Sequence, residues 1–350
     1  MQTSLSARLH VDLEALTANW AALDALSAPE VETAAVVKGD GYGCGAVEVG
    51  QALRRDGVRT FFVAVPSEGV ILREAIGPDP AIYILGGYGQ DELFDYQMND
   101  LRPVLNSAVQ ARAWFADDNG PCAIQIDSGM NRLGMEPDEF AGLGPLPDTV
   151  DLIMSHMGNS DEPGHPMNAQ QLAEFTRVLA GQKTRLSLSA TAGLLLGPDY
   201  HFDMVRMGIG LYGGWPYRDA RKVVDVDAPI IQIRNLEAGE NVGYGATWVA
   251  DRPSRIATIS AGYADGLIRA MGAGASVFWN GQPIPFAGRV SMDLITLDVT
   301  DFECQPGDRV EILGPHQSID DLAKAAGSIG HEILTSLGRR YCRTYAPDPA

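Results

Sequence analysis

Positive charge, paired cysteines and long apolar runs are all scarce in this chain of 350 residues. Lysine and arginine together number 26 against 45 acidic residues, so the formal net charge is −19. Such a surface repels phosphates, which argues against binding of nucleic acid or of an anionic membrane. Only Lys38, Lys183, Lys222 and Lys324 carry an amine. A reaction that needs an amine therefore has few candidate residues.

The four cysteines lie far apart and form no C-x-x-C pair, which favours a reduced, cytoplasmic protein. No uncharged apolar run has the length needed to span a bilayer. The first 16 residues lack a basic start followed by an apolar block, so we expect no signal peptide. With 45% apolar and 20% charged residues, the composition is that of an ordinary globular protein.

Short apolar runs alternate with helical or loop segments over the first 220 residues. Continuous apolar runs separated by helices indicate a parallel sheet that is covered on both faces. Eight such runs over about 200 residues favour an α/β fold, a (β/α)₈ TIM-like barrel spanning residues 9–220. The runs cover residues 33–37, 61–65, 81–85, 102–105, 122–126, 150–154, 185–189 and 204–211.

The pattern changes after residue 220, and residues 221–350 predict a C-terminal, mainly β domain. Six β-rich runs occur between residues 229 and 313. The dipeptide Asn280-Gly281 lies between two of them, which is typical of a hairpin turn. Residues 320–337 predict one or two short helices. The pattern leaves open whether residues 1–8 join this domain.

Ligands of a (β/α)₈ barrel bind at the carboxyl ends of the strands, so the polar residues that follow the runs are candidates for a site. Lys38 follows the first run directly, in the glycine-rich segment 36–45. Burial there lowers the pKa of an amine and makes it a candidate nucleophile for an imine. The chemistry alone leaves a solvated surface lysine equally open. A dinucleotide site is disfavoured, because the spacing is not G-x-G-x-x-G.

Segment 36–45 resembles the pyridoxal-phosphate lysine motif of the bacterial alanine racemases, with Cys44 where that family usually has histidine. Further segments resemble the motifs of this family in the same order and over nearly the whole chain. They are residues 126–134, 155–162, 205–213, 242–247, 262–266 and 288–293. One such motif is a weak signal, whereas the whole series is specific.

The resemblance implies a two-base racemase with pyridoxal 5'-phosphate as its cofactor. Lys38 then forms the imine with the cofactor and is one base. The second base is Tyr244, contributed by the other subunit of a homodimer and supported by His156 and Arg206. Arg206 would face the pyridine nitrogen and keep it unprotonated, which disfavours side reactions. The alternatives are a surface aromatic for Tyr244, a structural histidine, and a surface ion pair of Arg206 with Asp203.

The resemblance also implies the contacts to cofactor and substrate. The phosphate is expected to bind Tyr42, Thr191, Gly208 and Ile209. Arg132 and the backbone of Met292 are expected to bind the carboxylate of alanine, and Tyr263 to be a gate at the entrance. Core packing is the alternative for Met292 and Tyr263.

Two further expectations concern side chains near Arg132 and His156. Some family members have a carbamylated lysine where this chain has Gln125, so a neutral amide is expected to orient Arg132. The pair His156 and His165, with Asp161 between them, fits no compact zinc spacing, and we expect no metal.

The family resemblance thus predicts a cytoplasmic enzyme that interconverts L-alanine and D-alanine and supplies D-alanine for peptidoglycan. A serine or broader-specificity racemase, or a decarboxylase, on the same scaffold remains open. So does a non-enzymatic carrier of pyridoxal phosphate, although carriers of that kind resemble a lone barrel. The C-terminal domain, with Tyr244, Tyr263 and Met292, favours the enzyme.

Overall fold

The computed structural model describes residues 5–347 of the chain. Residues 17–211 and 216–220 form one compact unit, the barrel unit. The described residues before 17, residues 212–215 and those from 221 onward form the other, the C-terminal unit. Within residues 5–347, no helix has the length and apolar character needed to cross a membrane.

Eight parallel strands make up the barrel unit. They follow β1 (Arg8–Asp12), which belongs to the other unit, and are β2 (Glu32–Val36), β3 (Thr60–Val63), β4 (Ala81–Ile84), β5 (Leu101–Leu105), β6 (Cys122–Gln125), β7 (Val150–Met154), β8 (Arg185–Ser187) and β9 (Met204–Met207). Strands that are consecutive in sequence pair from β2 to β8, and β9 pairs with β2. A single bridge of Ala190 with Arg206 joins the last two strands, so the ring is nearly closed. The predicted (β/α)₈ barrel is confirmed.

Helices follow most of these strands. They are α1 (Leu13–Asp24), α2 (Lys38–Tyr42), α3 (Ala46–Arg55), α4 (Pro66–Ile76), α5 (Leu93–Met98), α6 (Ala108–Ala116), α7 (Pro137–Ala141), α8 (Pro166–Val178) and α9 (Thr191–Leu194). Asp12 caps α1, since its Oδ1 accepts a hydrogen bond from the Ala15 N–H at 2.8 Å. Between β8 and β9 the chain forms the four-residue helix α9 and a 3₁₀ turn (Pro198–Tyr200).

Charged residues of four strands pair at the amino ends of the barrel strands. Arg102 lies 2.6 Å from Asp151, and Arg185 lies 2.5 Å from Glu32. The Tyr83 hydroxyl donates to the second oxygen of Asp151 at 2.6 Å. These contacts tie β2, β4, β5, β7 and β8 together at one end of the ring. We call this set of five side chains the amino-end cluster.

The C-terminal unit is mainly β, as predicted. Its strands after β1 are β10 (Val224–Leu236), β11 (Asn241–Val242), β12 (Trp248–Val249), β13 (Ser254–Ile259), β14 (Ser276–Trp279), β15 (Gln282–Pro285), β16 (Ile295–Asp298), β17 (Arg309–Leu313) and β18 (Cys342–Ala346). The long strand β10 pairs with β1, β13 and β17. The hairpin β14–β15 turns at Asn280 and Gly281, whose φ angles of 49° and 77° fit the predicted turn.

Two short helices, α10 (Ile319–Ala326) and α11 (Gly330–Ser336), follow the strands as predicted. The sequence pattern predicts neither β1 nor β18. These strands pair in parallel, with Arg8 opposite Cys342. The paired residues of the two strands lie more than 300 positions apart in the chain, so no local sequence pattern can predict the pairing.

Candidate active site

Lys38 lies at the carboxyl end of β2, where the chain enters the left-handed turn α2. Gly39, Asp40 and Gly41 have φ angles of 64°, 55° and 61°, and Tyr42 has a φ of 54°. Glycine adopts this conformation easily, whereas Asp40 and Tyr42 are strained there. Strain of this kind persists only where the surroundings fix the backbone. The turn therefore holds Lys38 in one orientation.

Glu68, in the first turn of α4, helps to fix this turn. Its Oε1 accepts a hydrogen bond from the Gly39 N–H at 2.7 Å. Its Oε2 accepts one from the Ala64 N–H at 2.8 Å, directly after β3. One carboxylate thus joins the backbone after β2 to the backbone after β3.

The amine of Lys38 lies among cations. Burial lowers its pKa, and the positive charges of Arg132 and Arg206 lower it further, while the charge of Glu68 raises it. A lowered pKa increases the neutral fraction of the amine, which is the form that attacks a carbonyl or accepts a proton. Lys38 therefore has the electrostatic setting of a nucleophile and a base.

Arg206 in β9 is buried beneath this amine-bearing end of the barrel. Its Nη1 donates to the Ser187 Oγ at 2.5 Å, and its Nη2 donates to the Ser155 carbonyl at 2.7 Å. Burial lowers its pKa to about 9, so the guanidinium remains charged near neutral pH. The alternative of a surface ion pair with Asp203 does not describe this buried side chain.

His156 follows β7 and is held in its neutral form. Its pKa falls to about 3 through burial and then through the charges of Arg206, Arg132 and Lys38. The structure thus brings together the three cations Lys38, Arg132 and Arg206 and the neutral His156. A neutral imidazole can accept as well as donate a hydrogen bond, so it can relay between a charged guanidinium and a hydroxyl.

Tyr42, Thr191 and Gly208 form a corner after β2, β8 and β9. A Cβ at Gly208 would lie 2.5 Å from the Tyr42 hydroxyl, so only glycine allows this approach. The Thr191 Oγ1 accepts from the N–H groups of Gly208 and Gly210, both at 3.3 Å. Burial raises the pKa of Tyr42 to about 12, which keeps its hydroxyl a donor. Ile209 follows Gly208 and begins a 3₁₀ turn (Ile209–Tyr212).

Arg132 is exposed on the loop that follows β6. The Oδ1 of Asp127 accepts from the N–H groups of Gly129 and Met130 at 2.8 Å each, which fixes the first half of this loop. The amide of Gln125 donates to the Leu133 carbonyl at 2.8 Å. The neutral amide therefore contacts the backbone of Leu133, the residue that follows Arg132. That it orients the arginine stays a prediction.

Gln171 in α8 connects two loops of the site, and no motif in the sequence points to it. Its Oε1 accepts from the Gly158 N–H at 2.8 Å. Its Nε2 donates to the His156 carbonyl at 3.0 Å and to the Ser128 Oγ at 3.2 Å. The side chain is 1% exposed, so all three bonds are made away from water. Gln171 occupies the position of an ordinary core-facing residue on α8, so its place in the sequence does not mark it as part of a site.

The remaining predicted residues lie in the C-terminal unit and are exposed. Tyr244 is 73% exposed, Tyr263 42% and Met292 53%. The Tyr263 N–H donates to the Ser291 carbonyl at 3.0 Å, and the Ala264 N–H donates to the Met292 carbonyl at 2.9 Å. The loops of Tyr263 and Met292 are thus joined, and the core-packing alternative does not describe either side chain.

Arg340, which follows α11, forms an ion pair with each of the two joined loops. Its Nη1 lies 2.6 Å from Asp293, and its Nε lies 3.1 Å from Asp265. Burial raises the pKa of Asp265, and the nearby charge of Asp293 raises it further. The hydrogen bond from the Gly262 N–H and the charge of Arg340 lower it, but they do not outweigh burial. The arginine therefore offsets two carboxylates that would otherwise repel.

His165 has a structural role. Its Nδ1 accepts from the Met167 N–H at 3.2 Å, which caps α8. Within the described part of the chain, no group of three or more His, Cys, Asp or Glu side chains is placed to hold a metal ion.

Comparison with known proteins identifies what this arrangement resembles. The family model "Alanine racemase, N-terminal domain" matches residues 11–216, and "Alanine racemase, C-terminal domain" matches residues 223–345. Alanine racemase of Dinoroseobacter shibae is 52% identical over 97% of this chain and 98% of its own length.

Two solved structures agree with both units. Alanine racemase from Bartonella henselae, crystallised with covalently bound pyridoxal phosphate, has a TM-score of 0.93 and 38% identity, over 98% of this chain and 100% of its own. The biosynthetic alanine racemase from Pseudomonas aeruginosa has a TM-score of 0.91 and 36% identity over the same shares.

Proposed function

The chain belongs to the alanine racemase family, and from that premise we propose that it interconverts L-alanine and D-alanine with pyridoxal phosphate as its cofactor. The family and enzyme class predicted from the motifs, an amino-acid racemase, are confirmed. The observation that carries the proposal is the amine of Lys38 with a lowered pKa, held among Arg132, His156 and Arg206 at the carboxyl ends of the barrel strands.

The residues present fit this cofactor. Lys38 supplies an amine that can bond to its aldehyde. The corner of Tyr42, Thr191 and Gly208 offers hydroxyl and N–H groups to its phosphate, joined by the backbone of Ile209, and glycine at 208 keeps that corner open. The bound cofactor would withdraw electrons from the Cα of alanine and make the Cα proton acidic.

Arg206 sets the electronic character of that withdrawal. A charged guanidinium offers only N–H donors, and its positive charge disfavours a second cation nearby, so a pyridine nitrogen bound beside it would stay unprotonated. A neutral ring withdraws electrons less strongly than a protonated one. This favours return of the proton to Cα over side reactions.

Two bases on opposite faces of Cα move the proton. Lys38 accepts or delivers a proton at its Nζ on one face. Tyr244 of the partner subunit does so at its hydroxyl on the other face, with His156 and Arg206 as its neighbours. The 73% exposure of Tyr244 leaves its side chain accessible to the site of a second copy.

The substrate carboxylate binds Arg132 and the backbone N–H of the partner subunit's Met292. A guanidinium binds a carboxylate with two parallel hydrogen bonds, which fixes the substrate plane. Tyr263 of the partner subunit stands beside Met292 through the joined loops and limits access. The protein is thus a homodimer in which each C-terminal unit serves the other subunit.

Further parts of the proposal concern location and role. All four cysteines are present as thiols, which fits a cytoplasmic enzyme. D-alanine made there would supply peptidoglycan synthesis, the usual role of this family.

The test is chiral chromatography of L-alanine, and separately of L-serine, after incubation with the purified protein and pyridoxal phosphate. We expect D-alanine to form rapidly and D-serine slowly. Bound cofactor with neither D-isomer would contradict the racemase and favour a carrier, whereas rapid D-serine formation would favour a broader-specificity racemase.

The second base has its own test. Tyr244→Phe removes one hydroxyl, so we expect racemisation to fall by about 10²- to 10⁴-fold. The absorbance of the bound cofactor should stay, because Lys38 is unchanged. Full activity in this variant would exclude Tyr244 from the mechanism.

A further inference from the structure

Glu68 accepts two backbone hydrogen bonds, and they have different structural roles. Its Oε2 bond to the Ala64 N–H, four residues earlier, resembles the back-bond by which an acid in the first turn of a helix satisfies an N–H at the helix start. Its Oε1 bond to the Gly39 N–H reaches a different strand end. Capping of α4 explains the first contact and does not explain the second.

The second contact acts next to the reactive amine. Gly39 follows Lys38 directly and opens the left-handed turn, with a φ of 64°. A hydrogen bond to a charged oxygen is stronger than one between neutral groups, so the carboxylate stabilises a backbone conformation that few residues adopt. The Lys38 side chain leaves the backbone at this fixed point.

Charge gives Glu68 a second effect on the same amine. The charged groups that act on Lys38 come from several elements: Arg132 after β6, Arg206 in β9 and Glu68 in α4. His156 after β7 is neutral above a pH of about 3. Glu68 raises the pKa of Lys38, whereas both arginines lower it.

We propose that Glu68 is a positioning residue for Lys38: its carboxylate fixes the turn that presents the amine, and its negative charge opposes the two arginines at that amine. This inference rests on the proposed function, because it assigns Glu68 a part in the proton transfer by Lys38.

The test compares Glu68→Gln with Glu74→Gln, an exposed position on the same helix where the same charge is removed. Lys38 must be neutral to accept a proton. Without the charge of Glu68 its pKa falls, so the acid limb of the kcat profile should move to lower pH by about half a unit to one unit. The acid limb of Glu74→Gln should coincide with that of the wild-type protein.

A spectroscopic titration of the holoenzyme gives a readout that does not depend on turnover. The pH at which the absorption band of the bound cofactor changes should move in the same direction in Glu68→Gln and stay in Glu74→Gln. Equal midpoints in both variants and the wild-type protein would overturn the proposal, since a purely structural role leaves them unchanged.

Glu68→Asp separates charge from reach. It keeps the charge with a side chain one methylene shorter, which cannot span both N–H groups. In Glu68→Asp we expect the acid limb of the kcat profile to coincide with that of the wild-type protein, and the cofactor to dissociate faster. If the acid limb moves as far as in Glu68→Gln, the charge of Glu68 does not act on Lys38 as proposed. Absence of D-alanine with the wild-type protein would instead refute the proposed function, and the spectroscopic titration would still test Glu68.

Discussion

At the amino ends of the barrel strands, Arg102 and Arg185 each face a carboxylate, whereas at the carboxyl ends the positive charges of Arg132 and Arg206 act on the amine of Lys38. Burial lowers the pKa of Arg102, but Tyr83 and Asp151 outweigh burial and raise it. For Arg185 the hydrogen bond and charge of Glu32 outweigh burial in the same way.

Three residues at the carboxyl ends, Lys38, His156 and Arg206, show the opposite result. Burial lowers the pKa of Lys38, of His156 and of Arg206, and neighbouring cations lower the first two further. Paired charges stabilise a fold, whereas like charges gathered in one place destabilise it until an anionic ligand arrives. We therefore expect the amino-end cluster to stabilise the fold, and the carboxyl ends, as the proposed ligand site, to lower its stability.

Replacement of Lys38 is the strongest way to sharpen this contrast. In Lys38→Ala the covalent link to the cofactor is lost, and we expect activity to fall by more than about a thousandfold. The free energy of unfolding without cofactor should not fall, because a cation that lies near the positive charges of Arg132 and Arg206 is removed. Absorbance of the cofactor, chiral chromatography and urea titration measure these three quantities. Retained racemisation would refute the role of Lys38.

Arg206→Gln gives the next largest effect. The neutral amide keeps hydrogen-bonding groups near Ser155 and Ser187 but loses the charge that governs the ring nitrogen. We expect kcat/KM for alanine to fall by about a hundredfold. Arg206→Lys is the matched control, since it keeps the charge and loses the planar fork, and should be less affected. Equal activity of Arg206→Gln and wild-type protein would contradict the assigned role.

The barrel and the polar residues at its carboxyl ends can be predicted from the sequence, and the reasons are physical, whereas the paired charges at the amino ends were not predicted. The strands of the barrel are buried on both faces, so each appears as a continuous apolar run, and the polar residue after the run lies at the mouth. Lys38, His156 and Arg132 are found in this way. Their roles required the series of family motifs, because a single lysine after a strand has an equally ordinary explanation.

The rest depends on side chains that meet only in three dimensions. Glu68 is a normal first-turn acid of a helix, and nothing local shows that its second oxygen reaches Gly39. Gln171 is a buried amide on α8 whose partners lie 13 to 43 residues earlier. Asp40 and Tyr42 do not define a left-handed turn by themselves, so the glycines at 39, 41 and 43 hint at that turn without defining it.

Asp151→Asn tests the opposite end of the barrel. It removes the charge that faces Arg102 and weakens the bond from the Tyr83 hydroxyl. Both charged side chains are about one quarter exposed, 24% and 27%, so we expect a loss of about 1–3 kcal/mol in the free energy of unfolding. The kcat for alanine should stay unchanged, because the amino-end cluster lies away from the proposed reacting atoms. Urea titration measures the free energy of unfolding, and steady-state kinetics measure kcat. A lower kcat with an unchanged free energy of unfolding would contradict the stabilising role of the amino-end cluster.

His156→Gln tests whether the cations at the carboxyl ends cost stability. The pKa of His156 is about 3 in the folded protein and near 6.5 in an unfolded chain. Between these values the unfolded chain binds a proton that the folded protein does not, so stability is full above pH 6.5 and falls as the pH drops towards 3. By pH 4.5 this amounts to about 2–3 kcal/mol.

Glutamine cannot take up that proton, so His156→Gln should lose less stability between pH 7 and pH 4.5 than the wild-type protein, by the same amount. Urea titration at the two pH values measures the difference. Asp151→Asn is the control, because it leaves His156 in place and should retain the His156 contribution to the acid loss. If His156→Gln and the wild-type protein lose equal stability, then His156 is protonated as easily in the folded protein as in the unfolded chain. The cations at the carboxyl ends would then not oppose one another strongly, and the two ends of the barrel would differ in composition but not in energy.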